Sequence, residues 1–126
     1  MNNLKGVTPD TISYNTAISA CEKAGQWQVA IKLLRGMDRG NVKPDAISYN
    51  AAISACAKAG QWETAMKLLH EMESTQGVSS DTISYNAAIS ACEKAGQWQR
   101  ALELIPRMGE NGILMDKITY LSLIHI

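Results

Sequence analysis

The sequence has no excess of either charge: twelve Lys plus Arg stand against twelve Asp plus Glu. No global field draws this chain onto nucleic acid or anionic lipid, so any attraction for phosphate must be local. Long apolar runs are also missing; the longest are a few residues, far short of the roughly 20 that a bilayer span requires. No membrane contact is expected. The opening Met1-Asn2-Asn3-Leu4-Lys5-Gly6 has neither the apolar core of a secretory signal nor the Arg-rich look of a transit peptide. No targeting segment is visible, and the chain reads as either cytosolic or a fragment without its address. Cysteines number only three, an odd count that argues against a secreted disulfide framework.

Histidine is equally scarce. His70 and His125 are the only two, and neither has a repeated carboxylate or nucleophile beside it. No His-x-Glu with Cys-x-x-Cys occurs, and no Gly-rich phosphate loop. With no convergent constellation the expectation is a binding module, not an enzyme, with no cofactor and no metal. What the chain does have is apolar content: 46% of 126 residues, enough for a packed interior, which excludes collagen-like and wholly disordered readings.

It also repeats itself. Ile12-Ser13-Tyr14-Asn15 returns as Ile47-Ser48-Tyr49-Asn50 and as Ile83-Ser84-Tyr85-Asn86, and each copy continues to Lys-Ala-Gly-Gln-Trp. Fourteen of the sixteen positions from Ile12 to Trp27 are identical in all three. The step from Asn15 to Asn50 is 35 residues and from Asn50 to Asn86 it is 36, the extra residue falling in 74–77. With boundaries after the aspartates, the units are 11–45, 46–81 and 82–116. Residues 1–10 close a preceding unit and 117–126 open a following one, then depart from the pattern in an aberrant tail at 121–126. The chain is expected to be a window from a longer array.

Within each unit the apolar period is helical. Tyr14, Ile18 and Cys21, widened by Ala17, Ala20 and Ala24, place a first helix over about 12–24, and Gly25 can take the left-handed conformation that ends it. Trp27, Ala30, Ile31, Leu34 and Met37 place a second over about 27–37. Asp45 stands at the entrance of the next helix, where a carboxylate is favoured. No segment alternates like a strand. A hairpin of this size cannot bury its own apolar face, so the fold class is all-α: an α-solenoid of stacked helix-turn-helix repeats whose hand is not evident. Pro106, well inside the third second helix, predicts a kink or an early end near Ile105. Cys21, Cys56 and Cys92 fall on the apolar side as small buried hydrophobes, and Trp27, Trp62 and Trp98 pack at the hairpins.

The opposite face of the first helix carries Ile12, Asn15, Thr16, Ser19 and Lys23. Solvation accounts for Ser19 and Lys23. Ile12 stands out in this polar stripe and recurs as Ile47, Ile83 and Ile118; either it packs on the adjacent repeat's first turn or it is left for a ligand. Identical Ile-x-x-Asn pairs, each followed by a Lys, suit a partner that is itself a repeating polymer, such as single-stranded nucleic acid or an extended peptide.

The Ser-Tyr-Asn of the first helix, the Lys-Ala-Gly at the hairpin and the Lys43-Pro44-Asp45 ending resemble pentatricopeptide repeats, over nearly the whole chain. The tetratricopeptide repeat is a poorer fit, because its Trp lies in the first helix whereas Trp27, Trp62 and Trp98 open the second. The resemblance implies single-stranded RNA binding by a monomer, one base per repeat. It implies base selection by Asn15 with Asp45, Asn50 with Asp81, and Asn86 with Asp116, a combination that prefers uridine, hence a U-rich partner. It implies base clamping by Ile12, Ile47, Ile83 and Ile118, and phosphate contacts from Lys23, Lys58 and Lys94. It further implies a role in organellar RNA processing, stability or translation, in a mitochondrion or chloroplast. Thr in place of the selector Asn would turn the preference towards guanosine.

The extra residue before Asp81, and Ser79-Ser80 in place of Lys-Pro, put the geometry of the second pair in question. Glu22 and Glu93 lie near the lysines and weaken the phosphate path. The alternative function is a protein-interaction scaffold that holds an extended peptide along the same wall; other protein partners would use the second-helix surface.

Overall fold

A computed structural model of the chain describes residues 10–75 and 78–110. These form six helices in chain order: α1 (Thr11–Ala24), α2 (Trp27–Arg39), α3 (Ala46–Lys58), α4 (Trp62–Ser74), α5 (Thr82–Lys94) and α6 (Trp98–Glu110). No strand occurs among the described residues. Apart from Asp10, the expected partial units at 1–10 and 117–126 lie outside the described residues, as do Gln76 and Gly77.

Each first helix starts for the same local reason. Asp10, Asp45 and Asp81 stand in extended backbone before α1, α3 and α5, and each carboxylate accepts the backbone N–H three residues on, from Ser13, Ser48 or Ser84. At the far end the chain must reverse within two residues. Gly25, with φ +73°, does so in the left-handed region, and the N–H of Gln26 closes the last turn onto the Cys21 carbonyl at 2.8 Å.

The hairpins then stack. Helices α1, α3 and α5 lie side by side as one wall, and α2, α4 and α6 pack behind them, with α2 also touching α3 and α4 also touching α5. The middle helix shows what this stacking is for. Covered on one side by α1 and on the other by α5, α3 buries eight residues, among them Tyr49, Ile53 and Cys56, whereas α1 buries only Asn15 and Ile18. Ala20 and Ala24, expected in the apolar stripe, are exposed on α1. The interior is made of Leu34, Met37, Leu68, Leu69, Met72 and Leu104 from the second helices, fitted against the small Ala and Cys side chains of the first.

The outer wall is tied by charge. Arg35 of α2 holds Glu71 of α4 through two hydrogen bonds, one of them at 2.7 Å. Glu73 of α4 accepts from Arg107 of α6, from the Tyr85 hydroxyl of α5 and from Ser80. Buried or partly buried pairs of this two-pronged kind fix orientation more than they add stability.

Two sequence expectations change here. Helix α6 runs through Pro106 to Glu110 instead of ending near Ile105. The Leu102 carbonyl that loses its donor belongs to a residue on the exposed side of the helix, where water can replace the missing bond, so the proline is tolerated. Trp27 and Trp62 pack against the core as expected, but Trp98 is exposed. Among the described residues no helix is long and apolar enough to cross a membrane. All three cysteines are free, and burial pushes the thiols of Cys56 and Cys92 up to about 11.

The two environments of isoleucine give a direct check. Ile53→Ala, in the fully buried row, is expected to lower unfolding free energy by about 2–5 kcal/mol, whereas Ile47→Ala, out in solvent, should change it by less than about 0.5 kcal/mol. Urea denaturation followed by circular dichroism measures both.

Candidate nucleic-acid interface

The wall of first helices ends in a row of junctions, each built by one carboxylate. Asp45 caps α3, and the same side chain reaches back to α1, where Asn15 Nδ2 donates to Asp45 Oδ1 at 3.0 Å. Ser48, in the first turn of α3, donates its hydroxyl to Asn15 Oδ1 while its Oγ accepts the Asp45 backbone N–H at 3.0 Å. The arrangement recurs one hairpin later. Asn50 Nδ2 reaches Asp81 at 3.3 and 3.5 Å, and Ser84 donates to Asn50 Oδ1 at 2.5 Å. The second Asn–Asp contact is longer than the first, and it is the one that follows the additional residue.

Burial alone would push the Asp45 carboxyl up, but the Ser48 backbone N–H, the Asn15 amide and the Ser48 hydroxyl outweigh it and hold the group below its ordinary value of 3.8.

These amides are therefore engaged inside the protein, and Asn15 is only 8% exposed. That is a departure from the open edge expected of a selector. An amide carries two N–H donors and an oxygen with two lone pairs; the contacts to Asp and Ser use one of each. One donor and one acceptor site remain, and both asparagines line depressions on the outer face of the wall.

Those depressions are bounded by isoleucine. Ile12, Ile47 and Ile83 are 74%, 60% and 59% exposed, so packing on the neighbouring first turn does not account for them. Asn15 lies in a depression with Ile12, Ile47, Thr16, Ser19 and Lys23, and Asn50 in one with Ile47, Ile83, Ser54 and Glu22. Each amide is thus flanked by two apolar side chains from successive helices. Asn86 takes the same place on α5, half-buried; its expected partner Asp116 and the fourth isoleucine, Ile118, lie outside the described residues.

The lysines are unequal. Lys23 borders the first depression. Lys58 is held by Glu22 at 2.7 Å. Lys94 shares a third depression with Lys58, Glu22, Ser54 and Ser90. Where the first repeat has Glu22 the second has Ala57, so no carboxylate stands in the corresponding place beside Lys94. Among the described residues no group of three or more His, Cys, Asp or Glu could hold a metal ion.

The residues that the sequence reading missed are Ser48 and Ser84. Their signal was present in Asp45-Ala46-Ile47-Ser48 and Asp81-Thr82-Ile83-Ser84, the spacing of a reciprocal helix cap.

Fold and wall together define a helical-repeat protein that presents evenly repeated amide and apolar groups along one face. The PPR repeat family model matches residues 9–58, 44–82 and 80–125, and the chain belongs to that family. Among solved structures it is similar to the pentatricopeptide repeat protein PPR10 in complex with an 18-nt psaJ RNA element, with TM-score 0.82 and 28% identity over 94% of this chain. It is also similar to PPR10 from maize, with TM-score 0.83 and 26% identity over 96% of the chain. The PPR domain of Arabidopsis thaliana protein-only RNase P 1 in complex with tRNA shares the fold, with TM-score 0.83 and 17% identity; 95% of this chain and 63% of that one are covered. The chain spans about 17% of the length of PPR10. No curated protein matches it.

Because the folded value of Asp45 lies below the unfolded one, its contribution to stability is present above about pH 4 and is lost as pH falls through the folded value. Asp45→Ala is expected to cost about 1 kcal/mol at pH 7 and to flatten the acid limb of the stability curve below about pH 4. Urea midpoints across that range would show an unchanged slope if Asp45 had no such role.

Proposed function

We propose that this chain binds single-stranded RNA along the α1–α3–α5 wall as a monomer, one base per repeat with a preference for uridine. The observation that carries the reading is the repeated pocket: an amide with one donor and one acceptor still available, between two exposed isoleucines. A base inserted there has apolar surfaces on both faces and a polar edge against the amide. Uracil presents an N–H beside a carbonyl, which the remaining lone pair and N–H of Asn15 or Asn50 complement. Cytosine offers an acceptor where uracil has that N–H, and the adjacent carboxylate opposes turning the amide over to match it. Loss of one such contact is worth about 1–3 kcal/mol when its partner stays buried.

The likeness to PPR10 bound to RNA and to a tRNA-bound PPR domain supports the same class of ligand. In the longer arrays to which such repeats belong, occupancy of a U-rich stretch would serve RNA processing, stability or translation in a mitochondrion or chloroplast, by excluding or recruiting other factors.

Fluorescence anisotropy with U-rich and A-rich oligomers at two salt concentrations tests the assignment. Tighter binding to the U-rich strand is expected, with a salt slope of about 2 or less for three lysines at about 0.7 each. Equal affinity for both, or no binding by folded protein at low salt, returns the peptide scaffold. Replacing Asn15, Asn50 and Asn86 together by Thr should move the preference towards guanosine while helicity stays intact.

The uneven lysines predict a second pattern. Lys94→Ala should weaken binding to every sequence, with a smaller effect from Lys58→Ala because Glu22 already holds that ammonium. Glu22→Gln should tighten binding and steepen the salt slope by about 0.7 as Lys58 becomes available to phosphate. An unchanged slope in Glu22→Gln would remove Lys58 from the phosphate path.

A further inference from the structure

We infer that Ser48 and Ser84 are positioning residues for base selection, so that each repeat's reading amide is set by the first turn of the repeat that follows it. The inference rests on the assignment of Asn15 and Asn50 as base-reading groups. Its basis is the number of bonds an asparagine needs. Rotation about the terminal bond of an asparagine side chain has no sharp staggered wells, so hydrogen bonds at its two ends must hold the amide plane. Asp45 accepts from the nitrogen of Asn15, and Ser48 donates to its oxygen; Asp81 and Ser84 do the same for Asn50.

Helix capping does not require the serine–amide bond. The reciprocal cap is complete with the Ser48 N–H on Asp45 Oδ1 and the Asp45 N–H on Ser48 Oγ, both at 3.0 Å. The single hydroxyl proton of Ser48 could go to Asp45 Oδ1, also 3.0 Å away, but the Asn15 oxygen is nearer. Ser48 and Ser84 are fully buried, so no water competes for that proton. The serine thereby occupies one lone pair of the amide oxygen and leaves the other unused on an asparagine that lines the depression. Donation into the oxygen also polarises the amide and strengthens its remaining N–H as a donor to a uracil carbonyl. Without the serine, the amide keeps only its hinge at the carboxylate.

The test compares the full chain with Ser48→Ala/Ser84→Ala and Ser48→Thr/Ser84→Thr. Where the alanine variant does not fold, Ser48→Cys/Ser84→Cys takes its place, because a thiol has similar size and is a weak donor. Affinity for U-rich against C-rich oligomers is read by anisotropy, and exchange of the Asn15 and Asn50 side-chain amide protons with water is read by NMR without RNA. Loss of the hydroxyl is expected to lower the U-over-C ratio about threefold to tenfold, the scale of one hydrogen bond. It should also speed amide-proton exchange several-fold, with threonine restoring both. An unchanged ratio in a wild type that does discriminate overturns the inference even if overall affinity falls, and so does unaltered amide exchange. A wild type with no U-over-C preference removes the base-reading assignment instead. In that case the exchange rates alone decide whether the serines hold the amides.

Discussion

The carboxylate at each hairpin junction is the interaction on which the rest depends. Asp45 closes the first turn of α3 and at the same time holds Asn15 of α1, so the start of one helix and its register against the previous one are governed by a single side chain. Tied together, they give the wall a fixed repeat and put Ile12, Ile47 and Ile83 at matching heights. The apolar interior supplies most of the stability, with Ile18, Tyr49, Ile53, Tyr85 and Ile89 of the first helices buried in it. Polar junctions add directional bonds that fix the register further.

This division of labour explains why exposed apolar and buried polar residues coexist on the same helices. Ile47 faces solvent while Ser48, its neighbour, is fully buried. Both follow from Asp45 fixing the first turn, which turns Ser48 towards the preceding helix and Ile47 out towards the groove. A solvent-facing isoleucine offers no folding advantage, and its recurrence three times along one face accords with a ligand that brings its own apolar surface.

Much of the architecture was legible in the sequence because each unit repeats the same signals: helical spacing of apolar residues, glycine at the reversal, aspartate at the helix start. Periodicity was an additional constraint, since one hairpin of this length has to stack. The site was legible in its exposed isoleucines and illegible in the burial of Asn15 and in the bonds its amide makes. Asn15 and Asp45 are 30 positions apart, and their contact requires the lateral packing of α1 on α3, which no local pattern expresses. The serines went unread for a related reason, because a first-turn Ser is ordinary until its hydroxyl is seen to reach the helix before it. Of the kink or early end expected at Pro106, the early end does not occur, because the cost of the proline depends on whether water can reach the freed carbonyl, a property of the packed molecule. Trp98 differs from its two counterparts in burial although their sequence surroundings are nearly the same.

The turn between α4 and α5 carries the additional residue, yet α5 still begins at a capped aspartate and its serine still bonds the asparagine of α3. The amide–carboxylate contact that follows the additional residue is the longer of the two, 3.3 Å against 3.0 Å, and it is still made. Such a scaffold separates two kinds of change. A connecting turn can lengthen by a residue, while the pitch of the front face is kept by groups that clasp one another directly.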